Sequence, residues 1–220
     1  MKKLIIFGTG DIAQLAHYYF THDSEYEVTA FTVDRQFLDK TTFCECPVVA
    51  FEDIASHYPP DQYDMFIALS YSKLNAVRKE KYFAAKSMGY SLANYISSKA
   101  TVLNEGRIGE NCFILEDNTI QPFVVIGNNV TLWSGNHIGH HSKIKDHAFL
   151  ASHVVVSGGV EIGEQCFVGV NATLRDHITV GEKCVIGAGV LLLSDAPPDG
   201  VYMGESTERS RVPSSRLKGI

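Results

Sequence analysis

His140 and Gly158 stand eighteen residues apart. A histidine can take a proton from an attacking amine or hydroxyl near neutral pH. An exposed backbone N–H can hold the charge that develops on a carbonyl oxygen. Brought together, the two have the parts that acyl transfer needs. A surface histidine beside a structural glycine turn, Ser157-Gly158-Gly159, is the other way to read the same residues. A second constellation lies at the start of the chain. Gly8-Thr9-Gly10-Asp11-Ile12-Ala13 reads G-x-G-x-x-A. Its glycines let a phosphate approach the backbone, and the helix that follows supplies amide donors. Asp34 ends the next predicted strand, where a carboxylate can accept from a ribose hydroxyl or a base edge. The motif alone would suggest a dinucleotide cofactor, and glycine-rich turns of this kind also occur for packing. His141, His147 and His153 share one phase of six, so they fall on three successive faces. Cys44 and Cys46 lack companion ligands, and no metal site is expected.

The element that must position His140 is a repeat. Every sixth residue over 102–192 is Val, Ile or Leu, sixteen positions without a phase slip. That period fits neither an α-helix nor a plain hairpin. It is the hexapeptide pattern of a parallel β-helix, in which each hexad gives one short strand and one turn. Three hexads close a triangular coil of eighteen residues, and the stretch makes five coils. The aliphatic positions point inward and stack in ladders, each coil buried against its neighbours. Glycine often follows them, where the turn is expected to need backbone freedom. Cys112, Cys166 and Cys184 lie two before such positions and are expected in the core. The eighteen-residue coil is also what stacks His140 on Gly158.

Residues 1–97 read differently. Strands at 3–7, 26–32, 47–49, 64–69 and 91–96 alternate with helices, one from the turn at 8–13 to about 22 and others at 51–58 and 73–88, an open α/β domain with a small parallel, Rossmann-like sheet. Residues 98–220 form the second domain. The junction at 97–101 has no Gly/Ser linker, so the domains are expected to abut. The tail, 206–220, carries Arg209, Arg211, Arg216 and Lys218. It is either a solvated tail or a basic lip for a phosphate-bearing cofactor.

The formal charge of −6, with no basic block, argues against general nucleic-acid binding. No uninterrupted apolar stretch approaches the roughly 20 residues that span a membrane. The opening Met1-Lys2-Lys3-Leu4-Ile5-Ile6-Phe7 runs straight into the glycine turn, so it reads as a strand and not as a signal segment. The five cysteines form no disulfide framework. A reduced, cytoplasmic chain without membrane contact is expected.

The whole chain resembles bacterial nucleotide-sugar N-acetyltransferases of the hexapeptide-repeat, left-handed β-helix superfamily, a group that includes sialic-acid O-acetyltransferase-like sugar acyltransferases. The likeness rests on Gly8-Thr9-Gly10, the strand end at Asp34, residues 69–78, the hexads, and the exit Gly200-Val201-Tyr202-Met203-Gly204. It implies that the α/β domain holds the nucleotide of a nucleotide-linked amino sugar. It implies a homotrimer with active sites between subunits, and acetyl-CoA as co-substrate. The family's base sits in a His-acidic pair. Here the run is His140-His141-Ser142-Lys143-Ile144-Lys145, with His140 in the base position, His141 replacing the acidic residue and Lys145 replacing a glycine. By the same resemblance the Gly158 amide lies near the acetyl oxygen, and Ser157, Gly187 and Arg209 join it towards the cofactor. Gly8, Thr9, Gly10, Asp34, Arg35, Asn75 and Arg78 fall towards the nucleotide sugar, although Arg78 also fits a solvated helix face. The expected activity is acetyl-CoA-dependent N-acetylation of a nucleotide-linked amino-deoxy sugar in surface glycan precursor synthesis. A sugar O-acetyltransferase and a non-catalytic nucleotide-sugar-binding protein are the alternatives. A nicotinamide-dependent oxidoreductase is disfavoured, because the α/β part is short and the β-helix would have no role. The base, UDP, dTDP or GDP, is left open.

Overall fold

The computed structural model describes residues 2–216; Lys218 of the predicted basic lip lies outside them. The N-terminal sheet is built from β1 (Lys2–Phe7), β2 (Tyr26–Val33), β3 (Thr42–Phe43), β4 (Cys46–Ala50) and β5 (Tyr63–Ile67), in the order β3-β4-β2-β1-β5. β1 is central, and Leu4 to Phe7 are buried, as expected of a parallel strand covered on both faces. Helix α1 (Asp11–His22) covers one face. The short α2 (Ile54–His57) and α3 (Ala76–Ser87) cover the other.

The sheet departs from the all-parallel expectation at one edge. β3 pairs antiparallel with β4, because Cys44 and Glu45 take left-handed φ values of 46° and 65° and close a tight hairpin. The stretch 91–96 also differs from the strand expected there. Leu92 makes a single bridge to Met65, and Tyr95–Ile96 instead pairs with Phe113–Ile114 of the second domain. Helix α3 starts later than expected, because residues 73–75 form a left-handed turn before it.

The second domain is a triangular coil. Its two-residue strands form three parallel sheets of seven, six and four strands, the seven counting Tyr95–Ile96 at one end and Val201–Tyr202 at the other. The strands pair at a spacing of eighteen residues, as in Thr131↔Phe149 and Phe149↔Phe167, except that the exit strand Val201–Tyr202 lies sixteen beyond its partner Val185–Ile186. The inward aliphatics from Ile114 onward stack with Cys112, Cys166 and Cys184 in one continuous core.

The reason for the glycines differs from the one read in the sequence. Gly139 and Gly163 have ordinary φ values. A Cβ at Gly139 would stand 2.6 Å from the Gly158 nitrogen, and one at Gly163 would stand 2.5 Å from the Glu182 nitrogen. Glycine there permits close approach of the next coil. The left-handed corner position comes two residues later and is held by Asn129, His141, His147, Gln165 and others.

The two domains share a core. Leu4, Ile6 and Phe20 pack with Tyr95, Phe113 and Leu115. At the next corner Arg78 reaches from α3 into the coil and is fully buried. It donates to the carbonyls of Asn129, His147 and Ala148 and to Asn75 Oδ1. Asn75 in turn donates to the carbonyls of Gln165 and Cys166. A polar ladder runs beside them at eighteen-residue spacing. Asn111 Nδ2 donates to Asn129 Oδ1 at 2.8 Å, and Asn129 Nδ2 meets His147 Nδ1 at 2.9 Å.

Candidate active site

Strand His137–Ile138 ends at Gly139, and the chain turns. The His140 N–H donates to Gln121 Oε1 at 2.8 Å, which anchors the corner to the coil before. The His140 ring then lies on Gly158: a Cβ built there would stand 2.6 Å from Cε1 and 2.8 Å from Nε2. Only glycine fits that position. The Gly158 N–H donates to no acceptor in the protein among the described residues. The expected pair, an imidazole beside an unused backbone donor, is therefore assembled, and Ser157 precedes it in the same turn.

His141 follows in the same corner. Its Nδ1 is 3.1 Å from His140 Nδ1. Two imidazole nitrogens at that distance share one proton. With the proton on His140 Nδ1, Nε2 keeps its lone pair in the plane of the ring, whose face lies on Gly158. His141 has φ +61° and rests against the ring of Phe123, 4.7 Å away, and Phe123 has φ +66°. Both residues hold the left-handed corner position that recurs through the coil.

The glycine turn at the N-terminus opens a second cavity. Gly10 is exposed and precedes α1 with no side-chain cap, so the first amides of α1 are open. The cavity is about 630 Å³ and is lined by Gly10, Asp11, residues 68–72 and Trp133. It runs into an apolar cavity of about 340 Å³ with Tyr71, Trp133, Phe149 and Phe167 in its wall. Phe149 and Phe167 stack at 5.7 Å, and Tyr71 meets both rings. The reading of the sequence missed these aromatics. Their signal was the eighteen-residue spacing of two phenylalanines on one outward column.

The other expected contacts are placed as follows. Thr9 lies between Gly8 and Gly10, half-buried. Gly8 is buried with φ +122°, and a Cβ would stand 2.9 Å from Ala68 O, so it serves the approach of β1 to the β5 end. Asp34 is ion-paired with Lys81 at 2.8 Å. Arg35 is exposed and paired with Asp53 at 2.7 Å. Asn75 and Arg78 line neither cavity. They are the interdomain joint, and the solvated helix face expected as the alternative for Arg78 is not what the structure has. Gly187 packs against the exit strand, 2.9 Å from Tyr202 O for an added Cβ, and Arg209 is exposed in the tail. His140 lines neither cavity. Among the described residues no group of three or more His, Cys, Asp or Glu is placed to hold a metal ion. No helix among them is long and apolar enough to cross a membrane.

The family models match within the coil. Residues 106–140 and 123–158 match the bacterial transferase hexapeptide (six repeats), and residues 159–194 match the hexapeptide repeat of succinyl-transferase. Together the matches run over residues 106–194 of the coil. No curated protein matches the chain by sequence. Solved structures do resemble it. The acetyltransferase domain of PglB from Neisseria gonorrhoeae shares 22% identity over 93% of this chain and 97% of its own, with a TM-score of 0.82. PerB from Caulobacter crescentus, solved with CoA and GDP-perosamine, shares 22% identity over 93% of this chain and 95% of its own, with a TM-score of 0.81. WeeI from Acinetobacter baumannii shares 18% identity over 93% and 97%, with a TM-score of 0.79. The likeness spans both domains of the chain. The fold is an α/β domain followed by a left-handed parallel β-helix.

Proposed function

We propose that this protein transfers the acetyl group of acetyl-CoA to the amine of a nucleotide-linked amino-deoxy sugar, in the cytoplasmic synthesis of surface glycan precursors. The observation that carries the reading is the His140 imidazole lying on Gly158, whose N–H has no acceptor among the described residues. The amine attacks the thioester carbonyl. His140 Nε2 takes the amine proton, and the Gly158 N–H donates to the oxyanion. Two neighbours support the substrates: the PglB domain has been solved with acetyl coenzyme A, and PerB with CoA and GDP-perosamine. Gly10 and the open amides of α1 suit a diphosphate.

The working unit is a homotrimer with sites between subunits. In one copy the Gly10 cavity opens at the corner that carries Trp133. His140 lies on the following corner, one strand further round. The cavity of one copy facing His140 of another completes the site. Positioning of this kind supplies on the order of 7–11 kcal/mol in well-oriented model reactions.

The test is release of free CoA from acetyl-CoA with UDP-, dTDP- and GDP-linked amino sugars. Turnover is expected on an amino sugar, with kcat falling about 10²-fold or more in His140→Ala. Nucleotide-sugar binding without turnover by the wild type would overturn the reading in favour of a binding protein.

A further inference from the structure

The turn at Gly158 is bracketed by two imidazoles, only one of which the mechanism above uses. His140 comes from the coil before and lies on Gly158. His177 comes from the coil after and lies on Gly159, where an added Cβ would stand 2.5 Å from its Nδ1 and 2.8 Å from its Cε1. Backbone rungs hold both sides. The Gly159 N–H donates to His140 O at 2.8 Å, and the His177 N–H donates to Gly158 O at 3.0 Å. Two adjacent glycines thus leave room for two rings, with the unused Gly158 N–H between them. The side chain of His177 is 75% exposed, and its Nε2 is 4.0 Å from the Asp176 carboxylate. Arg175 precedes it in the same turn. One coil on, the Asp195 carboxylate accepts from the Thr179 N–H at 2.8 Å.

We infer that His177 is the general acid that protonates the departing CoA sulfur. The inference rests on acetyl transfer as proposed above. A tetrahedral intermediate whose oxyanion points at the Gly158 N–H carries nitrogen and sulfur on its remaining arms. A base on one side of that donor and an acid on the other fit those arms. The amine nitrogen bonds to the carbonyl carbon, and its proton goes to His140 Nε2. The C–S bond breaks as the His177 imidazolium gives its proton to sulfur. The products are the amide and the free thiol, and solvent returns the proton from His140 to His177. An unassisted CoA leaving group would depart as a thiolate, whose conjugate thiol resembles cysteine, with a pKa of about 8.5.

The experiment compares wild type, His177→Ala and His177→Gln, with kcat and KM for acetyl-CoA measured across pH. The position is exposed, so both variants are expected to keep the wild-type circular dichroism spectrum. The expected result is a fall in kcat of about 10²-fold in both. KM for acetyl-CoA should change little, and the basic limb of the kcat profile should disappear. An unchanged kcat, a change confined to KM, or a lowered kcat that keeps the basic limb would each overturn the acid role while leaving acetyl transfer standing. Absence of wild-type turnover would overturn acetyl transfer itself, and the role of His177 with it.

Discussion

His140 owes its usefulness to what surrounds it. An exposed imidazole is free to rotate, but this ring is held between the Gly158 backbone and the Nδ1 of His141. A neutral histidine can accept the Nδ1 proton of its neighbour, which leaves Nε2 free for the amine. It lacks the negative charge of a carboxylate, however, and so does less to stabilise the imidazolium that forms when His140 takes a proton. Replacing His141 by Glu should supply that charge. A carboxylate beside His140 favours its protonated form and raises its pKa. The acid limb of kcat/KM should move to higher pH in His141→Glu, with kcat on the plateau above it at least equal to the wild type. A pH–rate series on the two proteins checks this, and a limb that moved down would refute the assignment of His141 as acceptor.

At the scale of elements, α3 and the coil are joined by buried polar groups. Arg78 is buried with no carboxylate among its partners, and burial pushes its pKa down to about 10, still charged at neutral pH. Its charge is met by carbonyl oxygens stacked at one corner of the coil. His147 sits in the same joint, buried, with its Nδ1 taking the Asn129 amide. Burial pushes its pKa down to about 4, against about 6.5 for an exposed histidine. Between those values the unfolded chain binds a proton that the folded protein does not. Stability from this site is therefore fully present above about pH 6.5 and falls as the pH drops towards 4. The loss is on the order of 3 kcal/mol. Urea unfolding at pH 7.5 and pH 4.5 should show a steeper loss in wild type than in His147→Gln, whose amide does not titrate. Equal losses would show that the imidazole does not govern the joint.

At the scale of the molecule, the Gly10 cavity and His140 occupy different corners of one coil. A site shared between copies has a signature that a site within one chain lacks. His140→Ala and Trp133→Ala, each crippled alone, should regain activity when unfolded together and refolded as mixed trimers, because some interfaces then carry neither substitution. Subunits crippled within one chain would show no recovery. Light scattering on the wild type should give three times the chain mass.

The repeat, the core ladder and the stacking of His140 on Gly158 were legible in the residues alone. A period of six leaves one strand and one corner per hexad, and an eighteen-residue coil sets every vertical neighbour. The α/β domain was legible for a similar reason, since buried strands alternate with amphipathic helices. The joint between the domains was not. Arg78 and Asn75 look like helix and loop polar residues until α3 is laid on the corner formed by Asn129, His147 and Gln165. No local pattern records which face of one domain meets which corner of the other. The glycines show the same limit. Their spacing was plain, but whether each serves an unusual φ or a close approach depends on the distance to the next coil. His177 shares its phase with His141, His147 and His153, and nothing in the sequence singles it out. Only the tertiary structure puts it on Gly159, because a pair of glycines there leaves the space.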